Sequence, residues 1–189
     1  MRLRRCLLTV LGCLPFVAAA APMTYVLDPT HTYPSFEADH FGGLSVWRGK
    51  FRKSSGKVVV DKEAGTGSVS VSVDVASIDF GLDTMDEHAR SEDIFNAGKY
   101  PVATYEGTLA DFKDGKPTVV HGQLTLHGVT KPLDLKIEKF TCKAVFGKDT
   151  CGADASGTLN RADFGVSYGK AFGFDMGVIL RIQVEGQKL

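Results

Sequence analysis

The sequence predicts an all-β domain, either a sandwich or a closed antiparallel barrel, with one short helix. Apolar and polar residues alternate with period two along most of the chain, most regularly in Gly67–Val75, where valines face one way and polar residues the other. Turn signals such as Asp114-Gly115 separate about eight to ten of these runs. Only one long segment, Asp83–Pro101, departs from the alternation. Periodicity alone does not distinguish a sandwich from a barrel.

The first 21 residues have the features of a secretory signal peptide. Three arginines begin the chain, an apolar run covers Cys6–Val17, and Ala18–Ala21 supplies small residues for the peptidase. We therefore expect cleavage near Ala20 or Ala21 and a periplasmic protein. A lipoprotein cleavage box ending at Cys13 is an alternative, but the apolar run continues beyond that cysteine.

The remaining residues, 22–189, have the length of one domain. No later segment approaches the roughly 20 apolar residues that a membrane span requires, so we expect no stable membrane insertion. Removing the signal takes away three of the 22 basic residues and none of the 22 acidic ones, which leaves a net charge of −3. No basic patch indicates nucleic acid as a partner. Whether two chains form a homodimer stays open.

The strands are predicted from the alternation, in chain order. We expect them at Thr24–Leu27, Tyr33–His40, Ser45–Lys53, Gly56–Asp61, Gly67–Val75, Val102–Phe112 and Thr118–Leu126, then around Leu133–Ile137, Ala155–Leu159 and Val178–Val184. On the inward faces, Gly49, Gly122, Ala155 and Gly157 are small, and they would leave a barrel interior partly empty. An interior of about eight strands can hold one small ligand.

The segment Asp83–Pro101 predicts the helix. The run Thr84-Met85-Asp86-Glu87 matches a capping box, in which a threonine hydroxyl and a glutamate carboxylate satisfy the first free amides. Gly98 would end the helix, and Pro101 would return the chain to extended structure. A single helix of this kind would cap one end of the β structure.

Cys142 and Cys151 are the two cysteines outside the signal, and an even pair in an exported protein favours a disulfide. We expect it to staple the loop between them. A redox or metal pair is the alternative, but neither a CxxC spacing nor a nearby histidine accompanies them.

The sequence carries no nucleophile elbow, HExxH, P-loop or GxGxxG motif. The five histidines show no metal-binding spacing, so we expect no catalytic residue, no metal and no cofactor. His121 and His127 are expected on a solvated strand face. His40 continues the apolar face of Phe36, and it is either a core histidine or a polar group inside a cavity.

Several segments, in order along the chain, resemble the YceI family of exported lipid-binding proteins. They are Asp28-Pro29-Thr30-His31-Thr32 with Phe36 and His40, Gly49-Lys50-Phe51, Asp86 with His88, Asp93-Ile94-Phe95, Lys99-Tyr100-Pro101, Gly122–Lys131 and Leu159–Gly165. The resemblance implies a lipocalin-like closed antiparallel β-barrel of about eight strands with one short capping helix. It also implies a ligand, namely a long isoprenoid, quinone-like or related lipid held in an apolar cavity.

The resemblance also indicates which residues would contact that lipid. The cavity wall would include Phe36, Trp47, Phe51, Phe95 and Phe164, and His40, His88 and Arg161 would lie near the head group. Met85 is also expected to contact the ligand, and it stands where the family commonly has an arginine. The missing cation suits a neutral head, such as a quinone or a lipid amide, at least as well as a diphosphate.

Two other functions are consistent with parts of the sequence. An enzyme acting on a lipid or small molecule, for instance a hydrolase, could use His88 with Asp86 or Asp93. A partner-binding barrel of the cell envelope would need no ligand, and a filled interior would favour it.

Overall fold

The computed structural model describes residues 21–189. The predicted signal peptide, apart from Ala21, lies outside the described residues, and so does Cys13. Within these residues the chain forms eleven strands and one α-helix. They are β1 (Met23–Leu27), β2 (Tyr33–His40), β3 (Ser45–Phe51), β4 (Ser54–Asp61), β5 (Thr66–Asp74), β6 (Ile78–Asp79), α1 (Asp83–Arg90), β7 (Val102–Ala110), β8 (Val119–Leu126), β9 (Val129–Val145), β10 (Lys148–Asn160) and β11 (Gly177–Lys188).

Eight strands form a closed antiparallel circuit. Their order is β1-β4-β5-β7-β8-β9-β10-β11, and β11 pairs again with β1. The long β11 also pairs with β2, and β3 and β6 extend the wall from there at one end of the barrel. The closed barrel implied by the resemblance is therefore confirmed, and the sandwich is not formed.

The turn between β1 and β2 closes the barrel against β11. The Asp28 N–H donates to the Glu185 carbonyl at 2.8 Å, and the Thr32 hydroxyl donates to the same carbonyl at 3.2 Å. The Asp28 carboxylate accepts from the Thr30 hydroxyl at 2.6 Å and lies 3.0 Å from His31 Nδ1. These hydrogen bonds, first from Thr30 and then from His31, lower the pKa of Asp28 to about 2, and the same contact raises the pKa of His31.

Three hairpin turns contain two residues, both at positive φ, as the twist of antiparallel strands favours. The φ values are 51° and 71° at Asp114-Gly115, 52° and 76° at His127-Gly128, and 49° and 80° at Phe146-Gly147. The first two turns were predicted from the sequence, and their positions are confirmed.

The segment between the cysteines was predicted as a loop, and that prediction is wrong. Strands β9 and β10 continue to Val145 and from Lys148, so Cys142 and Cys151 lie directly opposite each other in the ladder, with Cα atoms 4.0 Å apart. The disulfide itself is confirmed. Short cross-strand distance, rather than loop closure, brings the two sulfur atoms together.

Helix α1 is present at one end of the barrel, but its predicted limits are wrong. Leu82 occupies the N-cap without a side-chain hydrogen bond, so Thr84 lies within the first turn and forms no capping box. The helix ends at Arg90, well before Gly98. The buried Asp86 carboxylate instead accepts a hydrogen bond from the Phe80 N–H at 2.7 Å, which ties the helix to the chain after β6.

The other end of the barrel holds a packed core, called here the packed end. Its buried side chains come from six strands and are Tyr25, Val60, Tyr105, Leu109, Val120, Leu133, Leu135 and Cys151. Because these strands alternate in and out, each contributes every second residue to the interior.

The inward glycines do not leave empty space, contrary to the sequence-based expectation. A Cβ on Gly157 would lie 2.8 Å from the Leu135 side chain, and one on Gly122 would overlap the Tyr105 ring. Large side chains of neighbouring strands thus fill the place that each glycine leaves. The interior space lies elsewhere.

Candidate functional site

The barrel encloses a cavity of about 440 Å³, within the range of about 300–1,000 Å³ typical of ligand pockets. Its lining comes from both ends of the barrel and is overwhelmingly apolar. At the packed end the lining residues Tyr25, Val60 and Leu109 are no more than 4% exposed. Toward α1, the lining residues Phe41 and Tyr168 are 55% and 38% exposed. The cavity is therefore closed at the packed end and opens beside α1, at what is called here the mouth.

Aromatic rings form one wall of the cavity. The Phe36 ring lies 5.9 Å from Phe51 and 5.6 Å from Phe80, and Phe80 lies 5.8 Å from Trp47. Phe95, from the segment after α1, continues the row at 6.0 Å from Phe51. Such tilted and edge-on arrangements are those that aromatic pairs prefer.

This wall exists because β3 presents Trp47, Gly49 and Phe51 on its inward face. Gly49 pairs with Phe36 of β2, and a Cβ there would lie 2.6 Å from the Phe36 ring and 2.9 Å from the Phe80 ring. The missing side chain lets the edges of both rings approach β3 closely. Only a glycine allows this packing without moving the rings into the cavity.

His40 ends the inward face of β2 and lines the cavity near the mouth. Its ring lies 4.5 Å from Phe41, 4.8 Å from Trp47 and 5.5 Å from Phe174. Nδ1 lies 3.4 Å from the Ser45 hydroxyl, and Nε2 has no hydrogen-bond partner among residues 21–189. His40 thus lines the cavity with one ring nitrogen near a hydroxyl and the other unpaired.

Met85 and His88 lie three residues apart on α1, so they share a face, and both line the cavity. The His88 side chain is 34% exposed, and its Nε2 lies 3.6 Å from the Asp93 carboxylate. Its ring meets the Tyr168 ring edge-on at 4.8 Å.

Arg161 follows β10 and also lines the cavity. Its guanidinium donates to the Val166 carbonyl at 3.0 Å and to the Tyr168 carbonyl at 2.8 Å. Burial lowers its pKa, and the carboxylates of Asp39 and Asp175 oppose that change. Arginine remains protonated in proteins, so the mouth keeps one fixed positive charge that also holds its loop in place.

The polar groups deep in the cavity are already engaged. The Tyr105 hydroxyl donates to the Leu133 carbonyl at 2.9 Å, and the Thr32 hydroxyl donates to Glu185. Burial, with a smaller contribution from Asp134, raises the pKa of Tyr105, so its hydroxyl stays neutral. The polar groups of the cavity that still lack a hydrogen-bond partner therefore lie near the mouth.

Eight of the nine residues predicted to contact a ligand line this cavity. They are Phe36, His40, Trp47, Phe51, Met85, His88, Phe95 and Arg161. The ninth, Phe164, is outside the lining and only 2% exposed. The Asn160 side chain caps the Ala162 N–H at 3.0 Å and starts a 3-10 turn there. Phe164 lies in that turn, beyond the end of β10, and is buried outside the cavity instead of lining it as the resemblance implied.

Sequence reasoning missed Phe41, Phe80, Tyr168 and Phe174, which also line the cavity. All four lie in connecting segments, where alternation gives no information about direction. Each of the four adjoins a glycine in the sequence, but an adjacent glycine marks a turn rather than a cavity wall.

His127 is not on a solvated face as expected. Its ring packs on Tyr100 at 4.2 Å, and its buried Nε2 has no hydrogen-bond partner within the described part of the chain. The β8–β9 turn, with Gly128 at φ 76°, directs the ring against the segment after α1. His121 is exposed as expected and lies 2.9 Å from the Asp134 carboxylate.

Residues 21–189 contain no group of three His, Cys, Asp or Glu side chains placed to hold a metal ion. In the same range, no helix has the length and apolar character needed to cross a membrane.

A closed antiparallel barrel with an apolar interior cavity and one helix at its mouth defines a lipocalin-like barrel protein. Residues 25–186 match the YceI-like domain, and the chain belongs to this family. The resemblance inferred from the sequence motifs is thereby confirmed.

Known relatives agree with this assignment. A UPF0312 protein of Vibrio campbellii is 34% identical over 189 residues, which cover 96% of this chain and 95% of the relative. The crystal structure of Burkholderia cenocepacia BcnA superposes with a TM-score of 0.67 at 23% identity, covering 84% of this chain and 98% of BcnA. A polyisoprenoid binding domain from Saccharophagus degradans superposes with a TM-score of 0.64 at 17% identity, covering 87% and 98%. At these identities the two structures bear on the fold alone.

Proposed function

We propose that this protein is a periplasmic binding protein that carries a long apolar lipid, of isoprenoid or quinone-like type, inside its barrel. The observation that carries the proposal is the apolar cavity of about 440 Å³, closed at the packed end and open at the mouth. Burying an apolar chain stabilises the complex by about 0.8 kcal/mol for each methylene removed from water. A cavity with so few free polar groups suits such a chain and offers few hydrogen bonds to a polar solute.

The lipid tail would point toward the packed end, and its head would lie at the mouth. The hydroxyls of Tyr105 and Thr32 already donate to backbone carbonyls, so the deep end offers no free partner for a polar head. His40 Nε2 is unpaired at the mouth, and His88 and Arg161 also line the cavity. A few such groups are enough to set the orientation of an otherwise apolar ligand.

A neutral head group fits this mouth better than a diphosphate. Arg161 already donates to two carbonyls, and Met85 adds no charge from α1. A quinone carbonyl or a lipid amide could instead accept one hydrogen bond from His40 or His88. The polyisoprenoid binding named for the Saccharophagus degradans domain supports the same class of ligand.

Neither alternative function gains an observation in its favour. Asp86 is engaged by the Phe80 N–H, and the remaining pair, His88 and Asp93, is separated by 3.6 Å at an exposed site. A partner-binding barrel without a ligand was expected to have a filled interior, and this barrel has a cavity.

The proposal is tested by purifying the protein from a periplasmic fraction, extracting it with organic solvent and identifying lipids by mass spectrometry. The fractionation itself tests the proposed location. We expect a stoichiometric prenyl lipid in the extract and binding of an added prenyl quinone to the lipid-free protein. A protein that carries no lipid and also fails to bind added prenyl lipids would rule the proposal out.

Two variants then test the proposed orientation. His40→Ala should weaken binding of a prenyl quinone by about tenfold, the value of one hydrogen bond of roughly 1.4 kcal/mol, and leave binding of a prenyl hydrocarbon unchanged. His121→Ala is the matched control, because His121 is an exposed histidine paired with Asp134 outside the cavity. If His40→Ala lowers only the melting temperature, His40 is structural and the head lies elsewhere.

A further inference from the structure

Exposed apolar side chains are concentrated around the mouth of the cavity. Two adjacent segments, residues 41–44 and 168–174, are called here the mouth loops. Leu44 is 77% exposed and Phe172 is 65% exposed, and Phe41 and Tyr168 are also exposed. Large apolar side chains in water at one place on a protein indicate an interaction surface.

The mouth loops are held together as one surface. The Phe41 and Phe174 rings lie 4.8 Å apart. The Asp39 carboxylate accepts hydrogen bonds from the Gly42, Gly43 and Asp175 N–H groups at 2.8, 2.6 and 2.9 Å. The half-buried Asp39 carboxylate therefore fixes both loops. The exposed side chains keep a defined arrangement without a partner.

Phe41 is held in a conformation that its own side chain disfavours. Its φ is 52°, in the left-handed region that bulky residues rarely adopt. Glycines already occupy positions 42 and 43 of this loop, so a smaller residue at position 41 would also fit the loop. The hydrogen bonds of Asp39 keep a large exposed ring at the cavity edge despite that cost.

The apolar surface of the mouth loops continues into the cavity without a polar break. Phe41, Tyr168 and Phe174 line the cavity, whereas Leu44 and Phe172 lie beside them outside it. A lipid that leaves the cavity would therefore move along apolar side chains onto the outer surface. Any partner that covers the mouth loops must accept that lipid.

The charges around the mouth loops favour a lipid surface as that partner. Lys170 lies between Tyr168 and Phe172, is exposed, and forms no ion pair with any of residues 21–189. A lysine next to exposed aromatic residues is typical of segments that rest in the head-group region of a bilayer. On the other side of the mouth, α1 exposes Asp83 and Glu87. These carboxylates restrict the apolar contact surface to the two loops.

We propose that the mouth loops dock on a lipid bilayer, with Leu44 and Phe172 entering the head-group region, and that lipid passes directly between the membrane and the cavity. The passage of ligand rests on the proposed function, whereas the docking does not. Direct passage avoids exposing the apolar chain to water, which would cost about 0.8 kcal/mol for each methylene.

Docking is measured by flotation of the lipid-free protein with vesicles of phosphatidylethanolamine containing a minor fraction of phosphatidylglycerol. The double variant Leu44→Ser/Phe172→Ser should bind these vesicles about tenfold or more weakly, since it loses two apolar contacts. Neither residue lines the cavity, so the variant keeps the lipid site intact. Circular dichroism of the variant checks that the barrel is folded.

The matched control is Phe146→Ser. Phe146 is fully exposed and, like Phe41, has a positive φ, but it lies at the packed end and outside the cavity. It should bind vesicles as the wild type does. Equal losses in Phe146→Ser and in the double variant would contradict docking through the mouth loops, and so would vesicle binding that neither variant changes. Absence of wild-type vesicle binding would overturn the proposal that the mouth loops dock on a bilayer.

Passage of lipid is measured as transfer of a prenyl quinone from the loaded protein to the same vesicles. The wild-type rate should rise with vesicle concentration, and the double variant should transfer at least several-fold more slowly with unchanged affinity for the quinone. A rate independent of vesicle concentration would contradict direct passage. If the wild type binds no quinone, the proposed function fails, and flotation still decides whether the loops dock.

Discussion

The two ends of the barrel are built from the same alternating strands, yet they have opposite properties. At the packed end, Tyr25, Val60 and Leu109 are buried, and the Tyr105 hydroxyl bonds to a backbone carbonyl. At the mouth, aromatic rings line an open space, and His40 keeps an unpaired nitrogen. The comparison indicates that stability resides mainly in the packed end, which leaves the mouth free to expose apolar surface for binding.

The largest expected effect tests this division directly. Leu109→Ala, at a side chain 4% exposed, should lower the free energy of unfolding by about 2–5 kcal/mol, because it removes buried methyl groups and leaves a cavity. Leu44→Ala, with the same change at the mouth, should alter it by less than about 0.5 kcal/mol. Urea unfolding of both variants measures the difference. Similar losses in the two variants would mean that the mouth contributes equally to stability.

The disulfide should also act on stability alone. Cys142→Ser/Cys151→Ser should lower the free energy of unfolding by about 2.5–3 kcal/mol, because a short cross-link restricts the unfolded chain. Binding of a prenyl quinone at the mouth should be unchanged. Denaturant unfolding and quinone titration of the double variant measure the two quantities, and the wild type with reducing agent provides the control. A large loss of affinity would show that the packed end also shapes the mouth.

Adding one methyl group at Gly49 tests the aromatic wall that lies between the packed end and the mouth. Gly49→Ala would put a carbon 2.6 Å from the Phe36 ring, which must then move toward the cavity. Overpacking of this kind costs about 1–3 kcal/mol, and the displaced ring should weaken lipid binding several-fold. Gly98→Ala is the control, since Gly98 is outside the cavity lining and a Cβ there would have no neighbour within 4 Å. Unchanged affinity in Gly49→Ala would mean that the aromatic wall does not contact the lipid.

The smallest effect concerns pH and the turn that closes the barrel. The pKa of Asp28 is lowered to about 2, so its stabilising contribution is present above the unfolded value of about 3.9 and is lost as pH falls toward 2. The pKa of His31 is raised, so its contribution is present below the unfolded value of about 6.5 and is lost as pH rises through the higher folded value. Both side chains reach solvent, so the changes should be small.

Thermal unfolding of the wild type and of Asp28→Asn across this pH range measures the contribution. The melting temperatures should differ most between about pH 4 and 6.5, where both groups are charged. They should converge near pH 2. A difference that is constant across the range would mean that the hydrogen bonds, rather than the charges, hold the turn.

Local patterns in the sequence were enough to locate most strands and two hairpin turns. The alternation in Tyr33–His40 matches β2 residue for residue, and it places Phe36 and His40 on the inward face. Asp114-Gly115 forms its turn because both residues tolerate positive φ. These features depend on near neighbours in the chain, so the sequence alone predicts them. The helix was also located, but its N-cap is Leu82 instead of Thr84, and the Asp86 carboxylate ties it to the Phe80 N–H.

What the sequence by itself determined is therefore the set of strands and the inward residues within them. Only the tertiary structure decided which part of the barrel interior those residues leave empty. Gly122 and Gly157 were expected to create the cavity, but side chains from adjacent strands fill their places. The contribution of Phe41 and Tyr168 to the mouth likewise depends on two loops that meet through Asp39 and Asp175. Packing across the barrel joins residues far apart in the chain, and no local pattern encodes which side chain occupies the space between them.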